Sequence, residues 1–151
     1  MKNTLSAIFL IGMLLTASDC LALKPDDIVG RWLTGLGNAQ VNIYKNNAGL
    51  YMGSIVWLRE PLDSITKQPK TDNKNPDKSL RSTPLMGLLM LKNFKWDADA
   101  EKYTGGTIYD PKTGNTYSCK ITLKSMNEMD LRGYIGISLI GRTDHWTRVK
   151  S

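Results

Sequence analysis

The sequence predicts an all-β fold, a single antiparallel up-and-down barrel of about eight strands with one long polar loop. Three observations lead to this prediction. Segments in which apolar and polar residues alternate with a period of two follow one another along the chain, as expected for half-buried strands. Most of these segments are joined by short turns, which suits antiparallel pairing of consecutive strands. Gly30-Arg31-Trp32 begins the first segment, and a Gly-x-Trp at that position hints at a small closed barrel.

The first half of the chain contains three predicted strands, at 31–34, 40–44 and 50–58. The last two flank 45–49, a hairpin turn whose Asn and Gly residues tolerate positive φ. In 50–58 both alternating faces are largely apolar, and Tyr51, Ile55 and Trp57 share one of them. We expect one face to line the barrel interior and the other to be partly covered.

Residues 59–83 differ from the rest of the chain because they are polar and show no sustained period. Loops of this length are uncommon in compact domains, and they usually serve binding or are mobile. The apolar run 84–91 follows and is predicted as a buried strand from about Gly87. Its Leu and Met content also suits one or two turns of helix.

Four more strands are predicted in the second half, at 102–109, 116–124, 129–135 and 144–149. The first two are separated by a turn in which Pro111 stands early and Gly114 late, where each fits the turn geometry. Residues 136–142 alternate less regularly. Consecutive antiparallel strands in this number remove their exposed edges by closing into a barrel.

Residues 1–22 are predicted to be a secretory signal peptide, which leaves 23–151 as the barrel domain. Lys2 precedes the apolar stretch 5–15, which is too short for a bilayer core of about 30 Å that needs roughly 20 helical residues. Cleavage is expected after Ala22. The mature protein is then predicted to be periplasmic or secreted, with no transmembrane segment.

Cleavage also decides the cysteine content. Loss of Cys20 with the leader leaves Cys119 alone, so no internal disulfide forms and packing must hold the domain together. Cys119 alternates with apolar residues of a predicted strand, which favours a buried, inert thiol. Two alternatives are an uncleaved anchor and lipidation at Cys20, although Asp19 stands where a small residue normally precedes a lipidated cysteine.

The chain is basic, with a formal net charge of +6, and the leader does not change this value because Lys2 and Asp19 cancel. A basic surface attracts nucleic acid or anionic lipid headgroups. Export argues against nucleic acid as a partner. A solvated basic surface is the simplest interpretation.

Catalytic residue types are missing at recognisable spacing. His145 is the only histidine of the chain, which excludes a multi-histidine metal site. Ser64 and Lys67 match the Ser-x-x-Lys spacing of penicillin-recognising enzymes, but the partner motifs of that chemistry are missing. We therefore predict no catalytic residues, no metal ligands and no cofactor, and we rank a hydrolase or isomerase behind a binding function.

Several motifs follow one another along the chain, from Gly30-Arg31-Trp32 to Leu131-Arg132-Gly133-Tyr134. Taken in order, they resemble the DUF2147 family of exported bacterial proteins, whose function is uncharacterised. The resemblance covers essentially the whole predicted domain. It implies a lipocalin-like, or calycin-like, β-barrel, a class that often carries small apolar ligands, and it transfers no catalytic residues. The clearest matching motifs are Gly30-Arg31-Trp32, Lys74-Asn75-Pro76-Asp77, Gly105-Gly106, Ile108-Tyr109-Asp110-Pro111 and Leu131-Arg132-Gly133-Tyr134.

The lipocalin resemblance also implies how one barrel end is closed. In that class the tryptophan of the first strand packs under an arginine or lysine of the last strand, by cation–π contact and packing. Gly30 and Trp32 match this motif. Arg148 is the favoured partner and Arg142 the second choice, and both roles are structural. The functional end is then expected at the opposite mouth.

Two functions follow from a barrel of this kind. The first is binding of a small apolar or amphipathic molecule in the interior. The alternative is a filled barrel that contacts an envelope protein through 59–83. An apolar cavity of about 300 Å³ or more favours ligand binding, and a packed interior favours the interaction module. The candidate ligand-binding residues are Tyr51, Trp57, Tyr109, Arg132 and Tyr134.

A structural role for the arginines stays open at this point. A buried or rim arginine requires a carboxylate or carbonyl partner. Asp72, Asp77 and Asp110 are the candidate partners, and such a pair ties the long loop to the barrel.

Overall fold

A computed structural model describes residues 23–137 and 139–150, and the predicted signal peptide, residues 1–22, lies outside them. Within the described residues the chain forms eight strands and two short 3-10 helices. The helices are Pro25–Ile28 and Lys78–Leu80. The strands are β1 (Gly30–Leu33), β2 (Ala39–Lys45), β3 (Tyr51–Leu58), β4 (Leu89–Asp97), β5 (Lys102–Asp110), β6 (Asn115–Ser125), β7 (Glu128–Tyr134) and β8 (Gly141–Arg148).

Each strand pairs antiparallel with the next, and β1 also pairs with β8, so the sheet closes into a barrel in sequence order. This confirms the predicted fold. The seam between β1 and β8 is short, because Trp32 lies opposite Arg148 and Leu33 opposite Thr147, with no further pairs. Among the described residues, no helix has the length and apolar character that a membrane crossing requires.

One strand, β4, differs from its prediction. The apolar run predicted a strand from about Gly87, whereas β4 spans Leu89–Asp97. Asn93 has a φ of 63°, and the pairing of β3 with β4 shifts register along the strand. As a result Leu91 and Phe94, which are three positions apart, both lie in the core. This irregularity decides which side chains of β4 face inward, and the continuous apolar run from which the strand was predicted contains no such signal.

Large side chains fill the half of the barrel next to the helix Pro25–Ile28. The Phe94 ring lies directly on the backbone of Gly106, where a Cβ would stand 2.4 Å from a ring carbon. Tyr51 and Tyr103 meet edge to face, with ring centroids 5.1 Å apart. The buried side chains of this half include Trp32, Ile43, Tyr51, Phe94, Tyr103, Ile121, Leu123 and Met129.

The helix Pro25–Ile28 seals this end of the barrel through hydrogen bonds from interior aromatic residues. Trp32 Nε1 donates to the Ile28 carbonyl at 2.8 Å, and the Tyr103 hydroxyl donates to the Pro25 carbonyl at 2.6 Å. Both aromatic residues are fully buried. We call this end of the barrel the closed end.

Arg148 joins the separate parts of the closed end. Its guanidinium lies 4.2 Å from the centroid of the Trp32 ring. Nη1 donates to the Val29 carbonyl at 3.0 Å, and Nη2 and Nε donate to the carbonyls of Asp27 and Met126. One side chain of β8 therefore holds the N-terminal helix, the start of β1 and the β6–β7 turn.

Replacing Arg148 tests how much the closed end depends on it. Arg148→Met keeps the aliphatic packing but removes the cation over Trp32 and the donors to three carbonyls. We expect a loss of about 2–4 kcal/mol in the free energy of unfolding, measured by urea denaturation. Arg148→Lys keeps the charge but not the planar guanidinium, so its free energy of unfolding should lie between those of Arg148→Met and the unaltered protein. A loss below about 0.5 kcal/mol for Arg148→Met contradicts this role.

Cys119 is a free cysteine in the core, only 1% exposed. Burial raises the pKa of its thiol to about 12. Because the thiolate is the reactive form, the native protein should not react with a disulfide reagent within minutes at about pH 8, whereas the protein unfolded in guanidinium should react at once. Rapid reaction of the native protein contradicts an inert thiol.

Candidate functional site

The half of the barrel opposite the closed end encloses an open cavity of about 1690 Å³. Its floor is formed by Ile55, Leu131 and Trp146, which also belong to the packed core. The volume includes space between the loops above the barrel, since loop residues such as Leu36 and Ile65 contribute to the lining. We call this end the mouth. It is surrounded by the β1–β2, β3–β4, β5–β6 and β7–β8 connections, within residues 34–38, 59–88, 111–114 and the described part of 135–140.

The cavity walls are mainly apolar and include two positions without a side chain, Gly133 and Gly141. Gly133 lines the cavity on β7, and a Cβ placed there would lie 3.6 Å from Ile108 and 3.8 Å from Tyr117. Both distances are ordinary van der Waals contacts, so the small residue leaves space that a larger one would fill. The walls thus differ from the closed half, where aromatic side chains fill the interior. The other wall residues include Ala39, Leu58, Leu85, Met90 and Tyr117.

A carboxylate lies on the strand wall of the cavity. Asp144 of β8 lines it, and its Oδ2 accepts a hydrogen bond from Trp146 Nε1 at 2.6 Å. The other oxygen lies against the backbone of Gly35, where a Cβ would stand 2.1 Å away. The bare backbone of Gly35 therefore allows the β1–β2 turn to approach this carboxylate, which is a fixed polar group in a mainly apolar wall.

The lining at the mouth carries carboxylates that bind their own turns. Asp63 Oδ1 accepts hydrogen bonds from the backbone N–H groups of Ile65 and Thr66. These bonds hold the pKa of the Asp63 carboxyl below its ordinary value, and the bond from Thr66 has the largest effect. Asp110 Oδ1 accepts from the Lys112 N–H at 2.9 Å in the next turn. These acidic side chains therefore stabilise loop conformations.

Cations of the same lining extend outward. Lys70 pairs with Glu60 at 3.3 Å. Arg59, Lys112 and Arg142 line the cavity with exposed side chains, and within the described part of the chain their side chains have no ion-pair or hydrogen-bond partner. The long basic side chains are thus the charged groups at the mouth that are free to meet a ligand or a surface.

Of the five predicted ligand-binding residues, Tyr109 and Tyr134 line the cavity. Tyr51 faces the interior but lies at the closed end, where its hydroxyl donates to Asp26 Oδ1 at 2.5 Å. Burial and this bond raise the pKa of Tyr51 above its ordinary value. Trp57 and Arg132 are outside the lining.

The two residues outside the lining have identifiable positions. The β2–β3 pairing shifts register between Gln40 and Val41, so that the alternation of β3 changes and Trp57 is 39% exposed. Leu58 lines the cavity instead. Arg132 donates to Thr143 Oγ1 at 3.2 Å and to the Leu139 carbonyl at 3.1 Å, next to the β7–β8 loop.

Arg142, the second choice for closing the barrel, lies at the mouth and not at the closed end. It cannot contact Trp32, which Arg148 covers. The sequence pattern missed Arg142 and Asp144 as cavity residues because the last strand was predicted to begin at Asp144, whereas β8 begins at Gly141. The alternation with Trp146 in the longer strand is the signal that places both residues on the inner face.

The long connection between β3 and β4 is fixed to the barrel by a buried carboxylate. Asp72 is fully buried, and it accepts hydrogen bonds from the Tyr109 hydroxyl and from Asn75 Nδ2, each at 2.7 Å. Burial, followed by the bond to Asp72, raises the pKa of Tyr109 to about 12, so the phenol stays a donor at neutral pH. The residue that ties Asp72 to the barrel is therefore a tyrosine and not an arginine. Arg81 of the same loop donates to the carbonyl of Asn75.

The comparisons with known proteins agree with this architecture. The sequence profile of a family described as an uncharacterised protein conserved in bacteria (DUF2147) matches residues 30–148. The solved structure of protein HP1028 from Helicobacter pylori, described as belonging to the lipocalin family, has a TM-score of 0.66 and 20% sequence identity. The match covers 82% of this chain and 83% of that one. No curated protein matches the chain.

The tie between the loop and β5 can be tested with Tyr109→Phe, which removes one donor to the buried Asp72. We expect a loss of about 1–3 kcal/mol in the free energy of unfolding and faster proteolysis within 59–88. Tyr44→Phe is the matched control, because Tyr44 is 38% exposed and its hydroxyl has no partner among the described residues. Equal stability and cleavage rates for the two variants contradict the anchoring role.

Proposed function

Because this chain belongs to the DUF2147 family of bacterial proteins, whose function is uncharacterised, we propose from its structure that it binds a small apolar or amphipathic molecule in the barrel cavity. The observation that carries this proposal is the contrast between the two halves of the barrel. Aromatic side chains fill the closed half, whereas the other half is open and mainly apolar. An eight-stranded barrel is just wide enough to hold one small ligand when its side chains leave the space.

The size of the cavity separates the two functions that the sequence left open. Ligand pockets typically measure about 300–1,000 Å³. The cavity of about 1690 Å³ exceeds this range because it extends between the loops. A filled barrel acting only through its long loop would have no such space. The cavity therefore supports ligand binding over an interaction module.

The lining suggests how an amphipathic ligand lies. Its apolar body would contact Ile55, Leu131 and Trp146 at the floor, where water is displaced from apolar surface. Its polar end would stay at the mouth, within reach of Arg142 and Tyr134. The proposed setting is the periplasm or the extracellular space, which the predicted signal peptide supports.

Binding can be measured with purified, delipidated protein and a fluorescent polyene fatty acid or retinol. We expect saturable binding with one molecule per chain, together with a ligand that co-purifies and is detected by native mass spectrometry. The proposal is overturned if neither probe binds and no molecule co-purifies with the protein.

Gly133→Leu should locate the ligand in the cavity. The new side chain would fill space between Ile108 and Tyr117, so we expect probe affinity to fall about tenfold or more, equivalent to ~1.4 kcal/mol. Gly133→Ala is the matched control and should bind nearly as well as the unaltered protein, because a Cβ fits at this position. Thermal unfolding checks that both variants are folded. Unchanged affinity in folded Gly133→Leu places the probe elsewhere.

A further inference from the structure

The most exposed large apolar side chains of the described residues all belong to the mouth. Six large apolar side chains are at least 60% exposed, and all six are isoleucine or leucine. The two most exposed are Ile65 at 88% and Leu139 at 84%. Those at or beyond 60% exposure are Leu36, Ile65, Ile135, Ile137, Leu139 and Ile140. Scattered exposed apolar residues are normal, but their concentration at one end of a barrel marks an interaction surface.

Four of the six lie in the β7–β8 loop, which we define as Ile135–Ile137 and Leu139–Ile140. Ile135 and Ile140 line the cavity, whereas Ile137 and Leu139 are outside its lining. Hydrogen bonds hold the loop in place. The Ile140 N–H donates to the Ile137 carbonyl at 3.1 Å, and Arg132 on the barrel wall donates to the Leu139 carbonyl at 3.1 Å. The aliphatic side chains thus project from a loop whose described residues make backbone hydrogen bonds.

Charged side chains surround these aliphatic tips. Acidic and basic residues are equally numerous in the cavity lining, but they differ in reach. The aspartates Asp63, Asp110 and Asp144 accept hydrogen bonds from their own turns or strand. Arg59, Lys112 and Arg142 are long, exposed and without partners in the described chain. Glu60, the fourth acidic residue of the lining, is exposed and pairs with Lys70. The charged side chains of the lining that have no partner in the described chain are therefore the three cations, and the chain as a whole carries +6.

We propose that the mouth docks on an anionic lipid bilayer. The aliphatic side chains of the β7–β8 loop, together with Leu36 and Ile65, would enter the headgroup boundary, and the basic side chains would contact lipid phosphates. Membrane-surface binding combines these two contributions, buried apolar area and attraction to anionic lipid. This inference rests on the proposed function, because a docked mouth would let an apolar ligand pass between bilayer and cavity without crossing water.

The composition of the surface favours a bilayer over a protein partner. Protein interfaces are enriched in Tyr, Trp and other aromatic residues, and they need shape complementarity around a few buried anchors. The six most exposed large apolar side chains at the mouth are all aliphatic, and they project from separate loops around an opening. A fluid lipid surface accommodates such projections without a matching shape.

Vesicle flotation tests the docking. The purified protein is mixed at low salt with vesicles of phosphatidylcholine alone or with added phosphatidylglycerol. We expect the protein to float with the anionic vesicles, to float weakly with the neutral ones, and to be released by high salt. Absence of flotation with anionic vesicles overturns the proposal.

A double variant tests the loop itself. Ile137→Asp with Leu139→Asp should lower the fraction bound to anionic vesicles at least about tenfold, because carboxylates replace the inserted side chains. Met126→Asp is the matched control, since Met126 is a 50% exposed apolar residue in the β6–β7 turn at the closed end. It should float like the unaltered protein. Equal flotation of the double variant overturns the proposal.

Ligand binding in solution separates this inference from the proposed function. Ile137 and Leu139 do not line the cavity, so the double variant should bind the fatty acid probe like the unaltered protein. If the double variant binds the probe but no longer floats, both proposals are supported. If the unaltered protein floats but does not bind the probe, only the cavity function is overturned. Size-exclusion chromatography tests whether a second copy of the chain covers the mouth. If the unaltered protein is a dimer and the double variant is a monomer, a second copy is the occupant, and bilayer docking is overturned.

Discussion

Arg148 stands where the barrel must be joined. The seam between β1 and β8 contains only two residue pairs, because β1 itself is four residues long. A seam this short gives few backbone hydrogen bonds, so side-chain contacts must hold the first and last strands together. Arg148 does this by covering Trp32 and donating to carbonyls of the helix Pro25–Ile28, its connection to β1 and the β6–β7 turn. The closed end is thus a network around one arginine and one tryptophan.

The packed half makes the open half possible. The described residues contain one cysteine and no disulfide, so the fold depends on packing and hydrogen bonds. Phe94 on Gly106 and the Tyr51–Tyr103 pair concentrate that packing near the closed end. The walls of the other half gain support from outside, since Asp72 ties the long loop to Tyr109 on β5. This arrangement separates the part of the barrel that confers stability from the part that encloses the cavity.

The mouth combines features that a folded domain usually avoids. Exposed isoleucine and leucine side chains surround an apolar opening, and cations that have no partner in the described part of the chain stand beside them. Neither feature improves the stability of the isolated domain, because exposed apolar surface is costly in water. Both are explained if the cavity receives an apolar molecule at a lipid surface. The two proposals therefore account for different parts of the same end of the molecule.

Strand periodicity and short turns are local properties, so the residues alone were enough to predict the barrel. The pairing of Trp32 with Arg148 at the closed end was expected from the lipocalin resemblance and not from the local pattern. The inward residues that reach the cavity became known from the three-dimensional arrangement of the strands. Tyr51 faces the interior, but its depth along the barrel axis depends on strand register, which a period of two does not contain. Register shifts turned Trp57 outward and brought Phe94 inward, and the early start of β8 placed Arg142 and Asp144 at the mouth. The tie between Asp72 and Tyr109 joins residues 37 positions apart, and such pairs are set by the closed barrel and not by the local pattern.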